Sequence, residues 1–322
     1  MTVSRVLNKS ANVKPATVEK VEEALQKLGY RRNPMVDALM SQVRRRRVHL
    51  HSNLAWLEEE ETDGKQRKRI KLLRERAEQR AAALGYGFET IFHKPNALSA
   101  ERIDSMLKAR GVHGVIIAPI QSSGSQFDFP WDHYSVATLG RSLQTPTISH
   151  VMMHFQHAME RTLEELRQRG YQRIGFWTTR EAEMRSEHLP LMTYLRHNYR
   201  LKGSIPIEPL WLDSLSVAEV RSWYQSNRPE AIISSPFSGW EIARQLAVKI
   251  PEEVGFVTLS SPESAPRISG MRVPLEAMAH GVVDSVVAQI HRNEQGVPKV
   301  PKCMMVEASW HEGRTLRPQN RP

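Results

Sequence analysis

The sequence predicts a mostly α/β protein: two successive units of parallel sheet wrapped in helices, preceded by a short, basic, all-α segment. Three observations carry that expectation. From about residue 54 onward, apolar strand-like runs alternate with helix-period stripes, and the alternation restarts near residue 155. Residues 1–47 hold eleven Lys/Arg against four Asp/Glu, a net charge of +7 out of +10 for the chain. The 322 residues, 40% hydrophobic and 25% charged, suffice for several folded units of ordinary globular composition.

Composition also excludes classes. The single cysteine, Cys303, rules out a disulfide framework and suits a reducing compartment. No uninterrupted apolar run is long enough to span a bilayer, and the N-terminal residues lack the apolar core of a signal peptide. A cytoplasmic protein with no membrane partner is expected. Charge packed into a helix-patterned end is the footprint of a nucleic-acid reader, although on charge alone a solvated basic arm explains it equally well.

The basic end has its own pattern. Val3, Val6 and Leu7 share a helical face, and Asn8-Lys9-Ser10 breaks it. Pro15 opens a second helix with Val18, Val21, Leu25 and Leu28 as its stripe, and Gly29 ends it. Asn33-Pro34 caps a third short helix carrying Ala38 and Leu39, which runs into Arg44, Arg45, Arg46 and Arg47.

These residues carry a resemblance. TVSRVLN, the Pro-led helix, LGYRRNP and a Leu nine residues after Tyr30 resemble the headpiece of the lac-repressor (LacI/GalR) family, over about 40 contiguous residues. The resemblance implies a helix-turn-helix whose recognition helix lies in the major groove, with Thr2, Ser4 and Arg5 facing DNA and Asn8 near phosphates. It makes residues 35–42 a hinge helix that pairs with its twin in the minor groove, where Leu39 wedges between bases. Pro34, Asp37 and Met40 depart from the family's commonest choices. The helix and turn that precede TVSRVLN in the family have no counterpart before Met1, so the headpiece reads as incomplete and a start further upstream is expected. The implied division is residues 1–33 as a partial helix-turn-helix headpiece, 34–47 as hinge helix and basic linker, and 48–322 as a two-lobed effector-binding and dimerisation domain.

The remainder supplies the two α/β units. Residues 54–57 read as a strand, and Glu58 to Glu61 with Asp63 as a solvated acidic loop. Ile70, Leu73, Ala77, Ala81 and Leu84 mark a helix closed by Gly85, followed by a strand over 86–91. Ser99 caps a helix with Ile103, Met106 and Leu107, and residues 112–119 and 136–139 are buried strands. In the second unit, helices are predicted over 155–169, 186–199, 216–226, 240–249 and 275–292, with strands over 173–177, 207–212, 231–234 and 255–259. A cleft between two such lobes is a usual place for a small ligand.

The resemblance continues in AEQRAAALGYGFE, LKARGVHGVIIAP, LRQRGYQRIGF, IPEEVGFVTL and Val273-Pro274, which are similar to landmarks of the family's periplasmic-binding-protein-like effector domain. It puts Arg185 where a sugar-anchoring arginine is expected. His154 stands in place of an aspartate, Pro236-Phe237 in place of Asn-Asp, and Ser260-Ser261 in place of an Asp pair. His154, Arg185, Phe237 and Ser260 are therefore the expected effector contacts, and the effector is either sugar-like or recognised in another way.

No catalytic chemistry is expected. His150, His154 and His157 would share one helical face and could bind zinc, but residues 151–153 read as a strand end that scatters them, and no HExxH or CxxC supports a metal. No phosphate-cradling GxxxxGK[ST], GxGxxG or GxSxG occurs, so neither cofactor nor enzyme activity is expected. Arg180, Glu181 and Glu183 read as surface ion pairs, and Met152-Met153 and Met304-Met305 as packing. The reading is a dimeric, effector-responsive regulator of palindromic double-stranded operator DNA, most simply a repressor. Its rivals are a truncated regulator that reads DNA weakly and a solute-binding protein, which would need an export signal.

Overall fold

The structure, a computed structural model, describes residue 6 and residues 14–27, 53–60, 64–93, 99–120, 125–126, 129–200, 206–214 and 216–317. The expected DNA contacts Thr2, Ser4, Arg5, Asn8, Leu39, Arg44, Arg45, Arg46 and Arg47 lie outside the described residues. Helix α1 (Pro15–Lys27) begins at the predicted proline, with the Lys14 carbonyl accepting from Thr17 N at 2.9 Å.

The first lobe is built from β1 (Asn53–Glu59), α2 (Gly64–Ala83), β2 (Gly87–His93), α3 (Ala100–Ala109) and β3 (Val112–Ile117). It continues through β4 (Ser125–Gln126), a short 3-10 turn, β5 (Ser135–Leu139), β6 (Leu143–Thr145) and β7 (His150–Met153). The chain then crosses to the second lobe. That lobe holds α4 (Phe155–Gln168), β8 (Ile174–Thr179), α5 (Arg180–Arg185), α6 (Leu189–Arg200) and β9 (Leu210–Leu212). Next come α7 (Val217–Asn227), β10 (Ala231–Ser234), α8 (Gly239–Ala243), β11 (Gly255–Ser261) and β12 (Gly270–Arg272). Helix α9 (Leu275–His291) and strand β13 (Cys303–Val306) return to the first lobe, and β14 (Ser309–His311) ends in the second. Three crossovers thus join the lobes.

The first sheet has the order β13-β7-β5-β3-β1-β2, and every pairing in it is parallel. The second has the order β14-β12-β11-β10-β8-β9, parallel except for the antiparallel β12–β14 pair. Parallel strands need crossover helices on both faces, so central strands are buried on both sides. All five positions of β5 are buried. Alternation along β1 sends Leu54 and Trp56 into one core with Ile70 and Leu73 of α2 and Val282 and Val286 of α9. Ala55 and Leu57 enter the other, with Ile103 and Leu107 of α3. In the second lobe Phe176 and Ile233 pack with Met159 and Leu163 of α4, while Trp177 and Ile232 pack with Val220 and Trp223 of α7.

Two glycines let helices lie directly on sheet backbone. A Cβ at Gly114 would stand 2.3 Å from Val286 Cγ1, and one at Gly175 2.3 Å from the Trp223 ring. Such approaches are shorter than any real contact, so a side chain there would displace the helix.

The structure corrects several expectations. Glu58 is not in a solvated loop: it is buried in β1, where its Oε2 accepts from Trp56 Nε1 (2.9 Å) and Arg74 Nη1 (2.8 Å). The helix predicted over 186–199 begins only at Leu189, because Glu187 and His188 take the left-handed conformation (φ 55° and 59°) and separate it from α5. Helix α8 stops at Ala243, and Ala247 (φ 58°) precludes its extension to 249. The strand predicted from 207 pairs only from Leu210. Glu183 is fully buried rather than on the surface, accepting from Thr178 Oγ1 at 2.8 Å. Met304 and Met305 are 45% and 40% exposed, unlike the buried Met152 and Met153.

Candidate ligand cleft

In parallel α/β sheets, loops and helix starts gather at the carboxyl ends of the strands, and ligands bind there. Here the carboxyl ends of the two sheets meet. Arg185, the last residue of α5, follows the end of β8; its Nη2 donates to the carbonyl of Ile120, just beyond the end of β3 in the other lobe, at 3.1 Å. Arg141, two residues after β5, pairs with Glu187 across the same gap at 2.8 Å. These two contacts bridge the lobes and define the cleft.

Local chemistry fixes both bridging segments. Thr179 Oγ1 accepts from Ala182 N at 3.2 Å and caps α5, which presents Arg185 one and a half turns later beside Glu181 (2.7 Å). Gly140 (φ +75°) turns the chain out of β5 and aims Arg141 at the opposite lobe.

The other expected contacts fall at strand ends as well. His154 follows β7 at a crossover: its N donates to Val306 O at 2.8 Å, and its Nδ1 accepts from His157 N at 3.1 Å as the cap of α4. Phe237 is half-buried just after β10. Ser260, near the end of β11, donates from Oγ to the Ser235 carbonyl at 3.0 Å, which ties the β10 and β11 ends together. The structure therefore joins Ser260 to the turn that carries Phe237 and sets Arg185 against the opposite lobe, while His154 belongs to the hinge.

Sequence reasoning missed three participants. Arg141 and Glu187 carry no local motif; a Gly-Arg pair directly after a buried strand was the available signal. Arg272, at the end of β12, donates to Ser261 Oγ at 3.4 Å and more closely to the Pro262 carbonyl. Burial pulls its guanidinium below the usual range, partly offset by the charge of Glu263. No carboxylate among the described residues pairs with it.

The three histidines do not converge. His150 is buried in β7, its Nδ1 facing the Ile148 carbonyl at 3.2 Å; burial lowers its pKa, and the charge of Arg141 adds to that, opposed by the Ile148 contact and Glu187. His154 and His157 stack edge to face with ring centroids 5.9 Å apart. Among the described residues no group of three or more His, Cys, Asp or Glu is placed to hold a metal ion.

Fold and cleft define a two-lobed α/β protein with a candidate ligand site between its lobes. Residues 1–33 match the family described as bacterial regulatory proteins, lacI family. No curated protein sequence matches the chain. Among solved structures, a regulatory protein of the LacI family from Chloroflexus aggregans superimposes with a TM-score of 0.61 at 15% identity, covering 82% of this chain and 98% of that one. The transcriptional regulator CelR in complex with cellobiose gives 0.58 at 19% identity, covering 97% and 94%. The Lac repressor bound to ONPG gives 0.58 at 17% identity, covering 98% and 94%. No helix among the described residues is long and apolar enough to cross a membrane.

Proposed function

We propose that the protein is a DNA-binding transcriptional regulator, most simply a repressor, whose affinity for its operator is set by a small molecule held between the two lobes. The observation that carries this reading is one chain joining a lacI-type segment over residues 1–33, within a stretch of net charge +7, to a two-lobed fold with a bridged cleft. In it, residues 1–33 read DNA, 34–47 form hinge and basic linker, and 48–322 bind effector and a second copy of the chain. Thr2, Ser4, Arg5 and Asn8 contact the operator, Leu39 wedges in the minor groove, and Arg44 to Arg47 track phosphates. The Lac repressor solved as a dimer on operator DNA supports the arrangement by likeness of fold.

The cleft side chains named above are richer in donors than in free acceptors: Arg141, Arg185, Arg272 and Ser260 donate, and Glu187 is already engaged. An acceptor-rich effector suits it, contacted by Arg185, Ser260 and Phe237, with His154 transmitting the closure. An effector can shift DNA affinity only through its differential affinity for the lobe arrangements.

Fluorescence anisotropy on operator-length duplexes across salt tests the DNA half. Each phosphate that a cation neutralises adds ~0.9 to the slope of log K against log salt, so replacing Arg44 to Arg47 by Gln should reduce that slope by up to about 3.6 per subunit. An unchanged slope would remove those arginines from the interface.

A further inference from the structure

The second lobe carries a cavity that the cleft does not use. It is a groove of about 510 Å3 between α4 and α6, walled by Arg161, Arg167, Arg196 and Arg200 together with His157 and His197. The acids in its wall are Glu160 and Glu164. Four guanidiniums against two carboxylates leave a net positive charge before either imidazole takes a proton.

The cations are not equivalent. Arg161 is answered on its own helix by Glu164 (3.1 Å) and Glu165 (2.5 Å). Arg196 pairs with Glu160, which also accepts from Gln156 Nε2 at 3.1 Å. Arg167 has no carboxylate in contact among the described residues. It donates to Gln172 Oε1 at 2.8 Å and points Nη2 at His197 Nε2 at 3.4 Å, while its Nε is buried with no partner. Arg200 likewise forms no ion pair among the described residues.

Arg167 Nη2 has only the single lone pair of a neutral His197 ring to donate to, at the long distance of 3.4 Å, and its buried Nε has no acceptor, so the guanidinium is poorly satisfied. The charges around His197 reinforce it: burial, Arg167 and Arg196 all lower its pKa. Burial also lowers that of Arg167, with only the more distant Glu230 acting the other way. A concave site in which two of four arginines, Arg167 and Arg200, have no carboxylate partner among the described residues is the chemistry that takes phosphate, since guanidinium forks match its oxygens.

We propose that the groove between α4 and α6 binds a small phosphate-bearing anion, with Arg167, Arg196 and Arg200 taking its oxygens and His197 donating as imidazolium. The site adjoins the hinge. His157 lies in the first turn of α4, whose cap His154 is bonded to Val306 of β13. A bound anion therefore rests on the helix that leaves one of the three crossovers.

The test is an NMR titration of the full chain carrying ring-13C histidine, with the His197 resonance assigned through His197→Gln. The probes are inorganic phosphate, pyrophosphate and glucose 6-phosphate, against chloride and glucose at matched ionic strength. Saturable movement of the His197 signal with a rise in its pKa is the expected result, produced by at least one phosphate probe and by neither control. Response to inorganic phosphate identifies a free-phosphate site; response to glucose 6-phosphate alone identifies an ester site. Arg167→Gln should weaken the binding at least tenfold and Arg167→Lys less, while Arg110→Gln, in the first lobe, leaves it intact. Movement that tracks ionic strength alike for every salt overturns the proposal, as does wild-type affinity in Arg167→Gln. A response to duplex DNA and to none of the small anions overturns it in favour of a nucleic-acid surface. The wild-type titration stands even where a variant unfolds.

Discussion

Arg185→Met removes a contact that bridges the two lobes. The guanidinium bonds to Glu181 on its own helix at 2.9 and 2.7 Å and to the Ile120 carbonyl of the other lobe at 3.1 Å. The Glu181 pair is an i,i+4 pair with its carboxylate 56% exposed, worth ~0.3–0.5 kcal/mol, and it persists whether the cleft is open or closed. The Ile120 bond, by contrast, crosses between the lobes. A hydrogen bond from a charged donor contributes ~1.5–3 kcal/mol, and the partial exposure of the arginine argues for the lower end. At about 1.4 kcal/mol per factor of ten, the closed-to-open ratio should fall roughly tenfold, so that a protein closed about ten to one becomes evenly divided. Double electron–electron resonance reads this directly, with nitroxides placed by Arg102→Cys in α3 and Ser222→Cys in α7 on a Cys303→Ser background. The expected result is a second, longer distance population in Arg185→Met, with Glu181→Gln unchanged. Identical distance distributions with and without Arg185 would refute the reasoning and leave closure to other contacts.

Glu187→Gln removes the second bridge, to Arg141; since the glutamate is more than a third exposed, the effect should be ~0.5–1 kcal/mol, seen by the same spectroscopy as a smaller opening. A larger opening than that of Arg185→Met would reverse the ranking of the two contacts. Gly114→Ala puts a Cβ 2.3 Å from Val286 Cγ1 and 2.9 Å from Ile290 Cδ1, and overpacking of this kind costs ~1–3 kcal/mol. Urea unfolding should show a lower midpoint with unchanged m, and an unchanged midpoint would mean that α9 yields freely. Burial raises the Glu183 pKa, against the hydrogen bonds from Thr178 and Leu191 and the charge of His188. Between its unfolded and raised folded values the native state holds a proton that the unfolded chain has released, so this stabilisation is complete below the unfolded pKa and lost as pH rises through the folded one. Denaturation midpoints measured across that window should fall less in Glu183→Gln than in wild type; parallel curves would contradict the assignment.

How much of this was legible depended on whether the determinant was local. The central strands were, because a strand buried on both faces must be apolar at consecutive positions, as in Val115, Ile116 and Ile117. Helix starts with a capping side chain, such as Ser99 and Ser216, were equally plain. The break between α5 and α6 was not, because left-handed backbone falls on Glu187 and His188, with no glycine or asparagine to mark it. Glu58 misled for a related reason. In sequence it opens a run of acids, and only the fold brings Arg74 back to it, sixteen residues on.

The cleft shows the same division at a larger scale. Arg185, Phe237 and Ser260 were singled out through the family resemblance, and the fold puts them near the ends of β8, β10 and β11. What they touch there could not be read from the sequence. Arg185 meets a backbone carbonyl, which every residue possesses, and Arg141 meets a glutamate whose position depends on an unmarked left-handed turn. Both partners lie across a gap whose width is set by three chain crossovers, and His154 shows how tightly one of them is held: its N–H is committed to Val306 and its ring to the first turn of α4. A hinge fixed by backbone bonds and a cleft bridged by side-chain contacts differ in stiffness. An effector or a single substitution will therefore act on the contacts between the lobes, where the Arg141 and Arg185 bridges are worth roughly 0.5–2 kcal/mol each, rather than on the hinge.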